Sequence, residues 1–238
     1  IPVGKHGRPF LYYLVKNAVE AGYENLYLIT SPENQVFQEL VSDQKLPAGL
    51  KVYLAVQQVP DKREKPLGTA DALQQCLDQY PKLKQTTFTV CNGDNLYSVG
   101  ALKDLRMERK APNALISYGS SGFEYSDERI SKFAVMDISS EGYLKKIVEK
   151  PPMEDIPGYK DVTGELRVSM NIFSFYGGDI YPYLKNCPLD PIRDEKELPK
   201  AVGNMVMERP KSVLCIPRSE HIPDLTDAHD IQLFKNLE

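Results

Sequence analysis

Four short stretches of the chain combine residue types able to handle phosphates and sugars. In Cys91-Asn92-Gly93-Asp94-Asn95 a carboxylate follows a glycine that admits close backbone approach. That suits Mg²⁺ held jointly with phosphate oxygens, because this ion takes one or two carboxylates and keeps phosphates or waters for the rest. The same Asn-Gly-Asp run is also good turn chemistry. Gln57-Gln58 is followed by Leu67-Gly68-Thr69-Ala70. A glutamine amide carries both donor and acceptor and can read a base edge, and a glycine at a helix start exposes backbone N–H groups to a base or phosphate. The competing reading is a helix start capped by Gly68 or Thr69. Val148-Glu149-Lys150-Pro151 sets a carboxylate, an acceptor for sugar hydroxyls, beside an ammonium that meets phosphate as a point charge. It is equally a solvated ion pair ahead of a proline loop. Ile222-Pro223-Asp224-Leu225-Thr226-Asp227 supplies either a second carboxylate for the same ion or a loop whose Thr226 or Asp227 caps the last helix.

Alternating strands and helices must position these residues. Phe10, Leu11, Leu14, Val15, Ala18 and Val19 recur on one helical face, with Gly22 as a stop. Strands are expected at 26–29, 52–56, 88–91 and 114–118, with helices marked by 36–41, 70–80 and 98–109. Short links between them imply right-handed crossovers and a mostly parallel sheet covered on both faces. After about residue 125 the pattern changes. A hairpin over 132–138 and 143–149 turns at Glu141-Gly142, and 150–166 is a loop. Next come a strand at 168–175, helices at 178–185 and 194–207, a strand at 211–216 and a helix at 226–237. Each constellation falls just after a strand, where open α/β sheets bind ligands. The simplest organisation is one α/β domain over 1–238, with an elaborated second half.

Composition narrows the function classes. Of 238 residues 42% are hydrophobic, enough for a sizeable core, and the net charge of -4 argues against a nucleic-acid surface. No apolar run approaches the roughly 18 residues of a membrane span, and no leader pattern opens the chain, so a cytoplasmic protein is expected. Cys76, Cys91, Cys187 and Cys215 are scattered and read as reduced thiols. His6, His221 and His229 lack zinc-ligand spacing. The charged run 61–65 reads as an exposed loop or as a flap over a nucleotide.

Taken in order, the four stretches resemble the sugar-1-phosphate nucleotidyltransferases. Pro2-Val3…Gly7-Arg8-Pro9 and the helix through Asn17–Gly22 look like that family's PV-x-GKP stretch and first long helix, with Arg8 for the usual lysine. Leu67–Ala70 is similar to its LGTA motif, Asn92-Gly93-Asp94 to its GD motif, Glu149-Lys150-Pro151 to its EKP motif, and Pro223-Asp224-Leu225 to its W-x-D-x-G-T segment. The resemblance implies a Rossmann-like, mostly parallel mixed sheet flanked by helices, with a nucleotide-binding half (1–125) and a β-rich sugar-binding elaboration in the second half (126–238). It implies Mg²⁺ held by Asp94 and Asp224, and a nucleoside triphosphate and a sugar 1-phosphate as partners. Gln57, Gly68 and Thr69 would then face the nucleotide, Glu149 and Asn171 the sugar, and Lys150 the sugar phosphate. A homo-oligomer is compatible with it.

Departures from the family pattern are equally specific. The GGxGxR…PK signature should precede Ile1, so the chain is expected to start within a domain. Asn171 stands where many relatives have glycine, Phe133-Ala134 where they have Tyr-Gly, and Thr226 where they have glycine; there is no tryptophan. Two rival readings follow. A glycosyltransferase with a similar sheet would present D-x-D, whereas this chain has Asn92 in the first position. A non-catalytic nucleotide-sugar-binding regulatory subunit of the same fold would usually lose metal aspartates, and both are present.

Overall fold

The apolar period at the start of the chain produces the expected buried face. In α1 (Phe10–Glu20) Phe10, Tyr13, Leu14 and Val15 are buried. The helix ends in a pair of bonds, Tyr23 N–H to Ala18 O at 3.0 Å and Gly22 N–H to Val19 O at 2.8 Å. Gly22 at φ 86° supplies the left-handed residue that this ending requires. The structure, a computed structural model, describes residues 2–42, 45–61, 63–161, 163–225 and 234–235. The predicted helix at 226–237, with Thr226, Asp227 and His229, lies almost wholly outside the described residues.

A short ribbon of β1 (Pro2–Val3) and β2 (Arg8–Pro9) precedes α1. Strands β3 (Asn25–Thr30) and β4 (Lys51–Val56), joined through α2 (Gln35–Ser42), form a two-stranded parallel sheet. Helix α3 (Thr69–Gln79) leads to β5 (Thr87–Cys91), α4 (Val99–Asp104) and β6 (Asn113–Gly119). A four-residue helix α5 (Asp127–Ile130) then introduces the hairpin of β7 (Ala134–Ile138) and β8 (Leu144–Val148). After β9 (Arg167–Ser169) and β10 (Ile172–Tyr176) come α6 (Gly177–Lys185), α7 (Leu198–Glu208) and β11 (Val213–Arg218).

The α/β class holds, with a mixed sheet more antiparallel than the helix–strand alternation suggests. Strands β5 to β11 make one seven-stranded sheet. β5, β6 and β11 share one direction, but antiparallel β10 is inserted between β5 and β6. Sequence order could not reveal this, because the strand pairing with both comes from the second half. The predicted single strand 168–175 is broken, since Asn171 adopts φ 52°. Helix 98–109 is shorter than its apolar pattern, and 194–197 is a non-helical strap ahead of α7.

Both faces of this sheet are covered. Along β6 Leu115 packs with α3, α6 and α7, whereas Ala114, Ile116 and Tyr118 pack with α1 and α4. That is the period-two alternation of a strand buried on both sides. None of Cys76, Cys91, Cys187 and Cys215 forms a disulfide. Among the described residues no helix is long and apolar enough to cross a membrane.

Candidate active site where two strands part

Strand register defines a crevice. Cys91 at the end of β5 lies opposite Ile172, and Ala134 at the start of β7 lies opposite Ser169. Both strands therefore run along the same side of the β9–β10 line, one ending where the other begins, with Met170 and Asn171 facing the break. Val148 pairs with Val135, which brings the carboxyl end of β8, and so Glu149, to the same edge.

The chain leaving β5 meets the segment after β11 in this break. Asn95 and Asp224 form an isolated antiparallel bridge. It is closed by Leu96 N–H to Pro223 O at 3.0 Å and Leu225 N–H to Asp94 O at 2.9 Å. The structure thus brings Asp94 and Asp224 together. Burial first, and then the negative charge of Asp224, pushes the Asp94 carboxyl above its ordinary range. Arg129 at the end of α5 places Nη2 3.1 Å from Oδ2 of Asp224. Beneath them Asn95 is 3% exposed, and its Nδ2 is buried without a hydrogen-bond partner. Tyr97 donates its hydroxyl to Met170 O at 2.6 Å, fixing the floor under Asn171. The Asn171 N–H is held by Ser169 Oγ at 3.2 Å, and Asn171 Oδ1 is buried and unpartnered.

Glu149 and Lys150 lie at the end of β8, with Lys150 itself at φ 44°. Burial, and next the charge of Glu197, raises the Glu149 carboxyl, while Lys150 and Arg193 oppose the shift. Arg193 reaches Glu149 at 3.8 Å and Glu195 at 3.6 Å, and pairs closely with Glu197. Sequence reading missed both Arg193 and Arg129. Neither carries a local signal: each is an ordinary arginine in a polar stretch until folding brings it to a carboxylate.

Gln57 and Gly68 meet, but their local chemistry differs from the expected open helix start. Gln57 donates one amide hydrogen to Gly68 O at 3.0 Å and the other to Asp71 Oδ2 at 2.8 Å. The Ala70 N–H, the kind of group expected to await a ligand, already donates to Lys196 O at 2.9 Å. Thr69 Oγ1 accepts the Leu198 N–H at 2.9 Å. The strap 194–198 is therefore stitched onto the start of α3, and Arg63 of the charged run 61–65 holds Asp194 from the other side. Gly68 sits at φ 101°, and a Cβ there would lie 2.7 Å from Lys196 O.

A groove of about 1760 Å³ separates β3 from β5 and reaches Thr69, Gly93 and Asp94 on one rim. Asp224, Glu149, Lys150, Asn171, Gln57 and Gly68 do not line it. The structure thus assembles three side-chain clusters: the aspartate pair and the Glu149–Arg193 cluster at one sheet edge, and the Gln57–Gly68 clip held to the strap. Among the described residues no group of three or more His, Cys, Asp or Glu is arranged to hold a metal. Two half-buried carboxylates whose charges oppose each other still fit a hard divalent cation that completes its shell with phosphates.

The fold is that of a mixed α/β sheet flanked by helices, with two aspartates brought together where a strand ends. The chain belongs to the nucleotidyl transferase family, whose model matches residues 1–217. It is 31% identical over 108 residues to the chloroplastic/amyloplastic glucose-1-phosphate adenylyltransferase small subunit of Triticum aestivum. That match spans 45% of this chain and 22% of the length of that relative. Two solved structures share the fold. UDP-glucose pyrophosphorylase complexed with UDP-glucose gives a TM-score of 0.69 at 18% identity, covering 97% of this chain and 86% of its own. HddC from Yersinia pseudotuberculosis gives 0.65 at 15% identity, covering 98% and 87%.

Proposed function

We propose that the protein joins a nucleoside triphosphate to a sugar 1-phosphate, releasing pyrophosphate and a nucleotide-sugar in a Mg²⁺-dependent reaction. The observation that carries this reading is the Asn95–Asp224 bridge, which fixes Asp94 and Asp224 side by side at the edge where β5 ends. A phosphate oxygen of the sugar phosphate would attack the α-phosphorus in line, the bond to the β-phosphate would break, and pyrophosphate would leave. No protein nucleophile is required, so the protein's work is positioning and charge neutralisation. Asp94 and Asp224 would hold the cation, which when bound supplies charge neutralisation at the reacting phosphates.

The remaining roles follow from side-chain chemistry. Lys150 and Arg193 would meet the sugar phosphate, the first as a point charge and the second as a fork. Glu149 would accept sugar hydroxyls, with Asn171 Oδ1 as a second acceptor. Both amide hydrogens of Gln57 are taken, so only its oxygen is left to accept from a base N–H. Thr69 would act through the strap rather than on the nucleotide, because its hydroxyl already receives Leu198.

A second reading, a non-catalytic nucleotide-sugar-binding subunit of the same fold, is favoured by one observation: Asp224 already holds Arg129. A matrix of nucleoside triphosphates against sugar 1-phosphates, scored by pyrophosphate release with and without Mg²⁺, separates the two. Magnesium-dependent release with one pair supports the enzyme. Binding of a nucleotide-sugar with no release from any pair supports the subunit.

A further inference from the structure

We propose that Arg129 is a built-in competitor for the cation position on Asp224, and that a divalent ion gains this carboxylate only by displacing the guanidinium. The inference rests on the reading of Asp94 and Asp224 as a metal pair.

The geometry is specific. Arg129 Nη2 lies 3.1 Å from Asp224 Oδ2, with the two side chains only 26% and 13% exposed. The guanidinium sits over the Tyr125 ring, 4.8 Å from its centroid, and 5.9 Å from that of Phe133. Tyr125 in turn donates its hydroxyl to Ile222 O at 2.6 Å, in the segment that carries Asp224. The segment that carries Asp224 thus also anchors the aromatic ring under the guanidinium. One guanidinium brings a single positive charge to a pair of carboxylates. A divalent ion on the same carboxylate would put two charges within ~4 Å of a third of like sign, which favours exchange over sharing.

The competition also gives the arginine a use on each side of the exchange. Before the ion arrives it neutralises Asp224. Afterwards it is a displaced cation beside a site meant for phosphates. Nothing in the sequence around Asp127-Glu128-Arg129 signals this, since the pairing spans the chain from α5 to the segment after β11.

The test is a Mn²⁺ titration of the protein without nucleotide, reading unbound Mn²⁺ by electron paramagnetic resonance, for the wild type and for Arg129→Gln, Arg129→Lys, Asp94→Asn and Asp224→Asn. Arg129→Gln should bind Mn²⁺ about three- to fivefold more tightly than wild type, the size expected for losing one partly shielded ion pair. Arg129→Lys should stay near wild type, and both aspartate variants should lose the site. Unchanged or weaker binding in Arg129→Gln, with binding still lost in the aspartate variants, overturns the role of Arg129 and leaves the metal pair standing. Mn²⁺ binding that ignores both aspartate substitutions overturns the metal pair and the competition together. Should Arg129→Gln fail to fold, hydrogen exchange of the wild-type segment 123–133 answers the same question. Mn²⁺ should speed its exchange several-fold, and unchanged or slower exchange overturns the proposal.

Discussion

Asn95 and Asp224 face each other across an antiparallel bridge that belongs to no longer ladder, and that single pairing ties the end of β5 to the segment beyond β11. It sets two carboxylates side by side that gain nothing from each other electrostatically, since the charge of Asp224 raises the Asp94 carboxyl. Like charges kept together at a strand end are the arrangement a cation would relieve.

Asp94→Asn should therefore remove activity and leave the fold alone. Turnover is expected to fall by at least about 100-fold, as when other charge-stabilising groups are removed from active sites. Thermal stability should hold within about 1 kcal/mol, because a like-charge contact disappears. Pyrophosphate release retained at wild-type rate in the presence of Mg²⁺ would contradict the assignment.

Gly68→Ala tests the strap. The new methyl would meet Lys196 O, and the alanine backbone would have to adopt φ 101°. A cost of about 1–3 kcal/mol in a denaturant melt is expected. Because Arg193 directly precedes the strap, the KM for the sugar phosphate should rise along with it. A variant with unchanged stability and a defect confined to the nucleoside triphosphate would instead make Gly68 a base contact.

Asn171 occupies the left-handed region between β9 and β10. Asn171→Gly should keep or gain stability, while Asn171→Val should lose about 1–3 kcal/mol. Both remove Oδ1 from the crevice, so both should alter preference among sugar 1-phosphates. An equal melting temperature for the two variants would refute the backbone argument.

Glu149 gives a pH signature. Its carboxyl is raised above its ordinary 4.5 by burial and by Glu197. Between 4.5 and that raised value the folded protein binds more protons than the unfolded chain, so this residue makes stability fall as pH rises through the window. Glu149→Gln is expected to be more stable than wild type at neutral pH, with the advantage vanishing below about pH 4.5, the ordinary carboxyl value. Urea midpoints at several pH values measure it. A variant less stable than wild type at neutral pH would show that the charge of Glu149 is held favourably by Arg193 and Lys150.

Much of this arrangement was legible from residues alone, and the limits are equally particular. The apolar stripe from Phe10, the glycine at 22, the hairpin around Gly142 and the placement of Asp94, Glu149 and Gln57 just after strands all follow from local period and turn chemistry, which act over a few residues. The break at Asn171 was not legible this way: local period ran one strand through 168–175, and only the glycine that relatives carry there pointed to the left-handed residue. Local rules cannot specify which strand lies beside which. The antiparallel insertion of β10 between β5 and β6, the stitching of 194–198 onto α3, and the arrival of Arg129 at Asp224 and Arg193 at Glu149 are long-range pairings. They were decided when two covered sheet faces and one bridge fixed the register of segments distant in the chain.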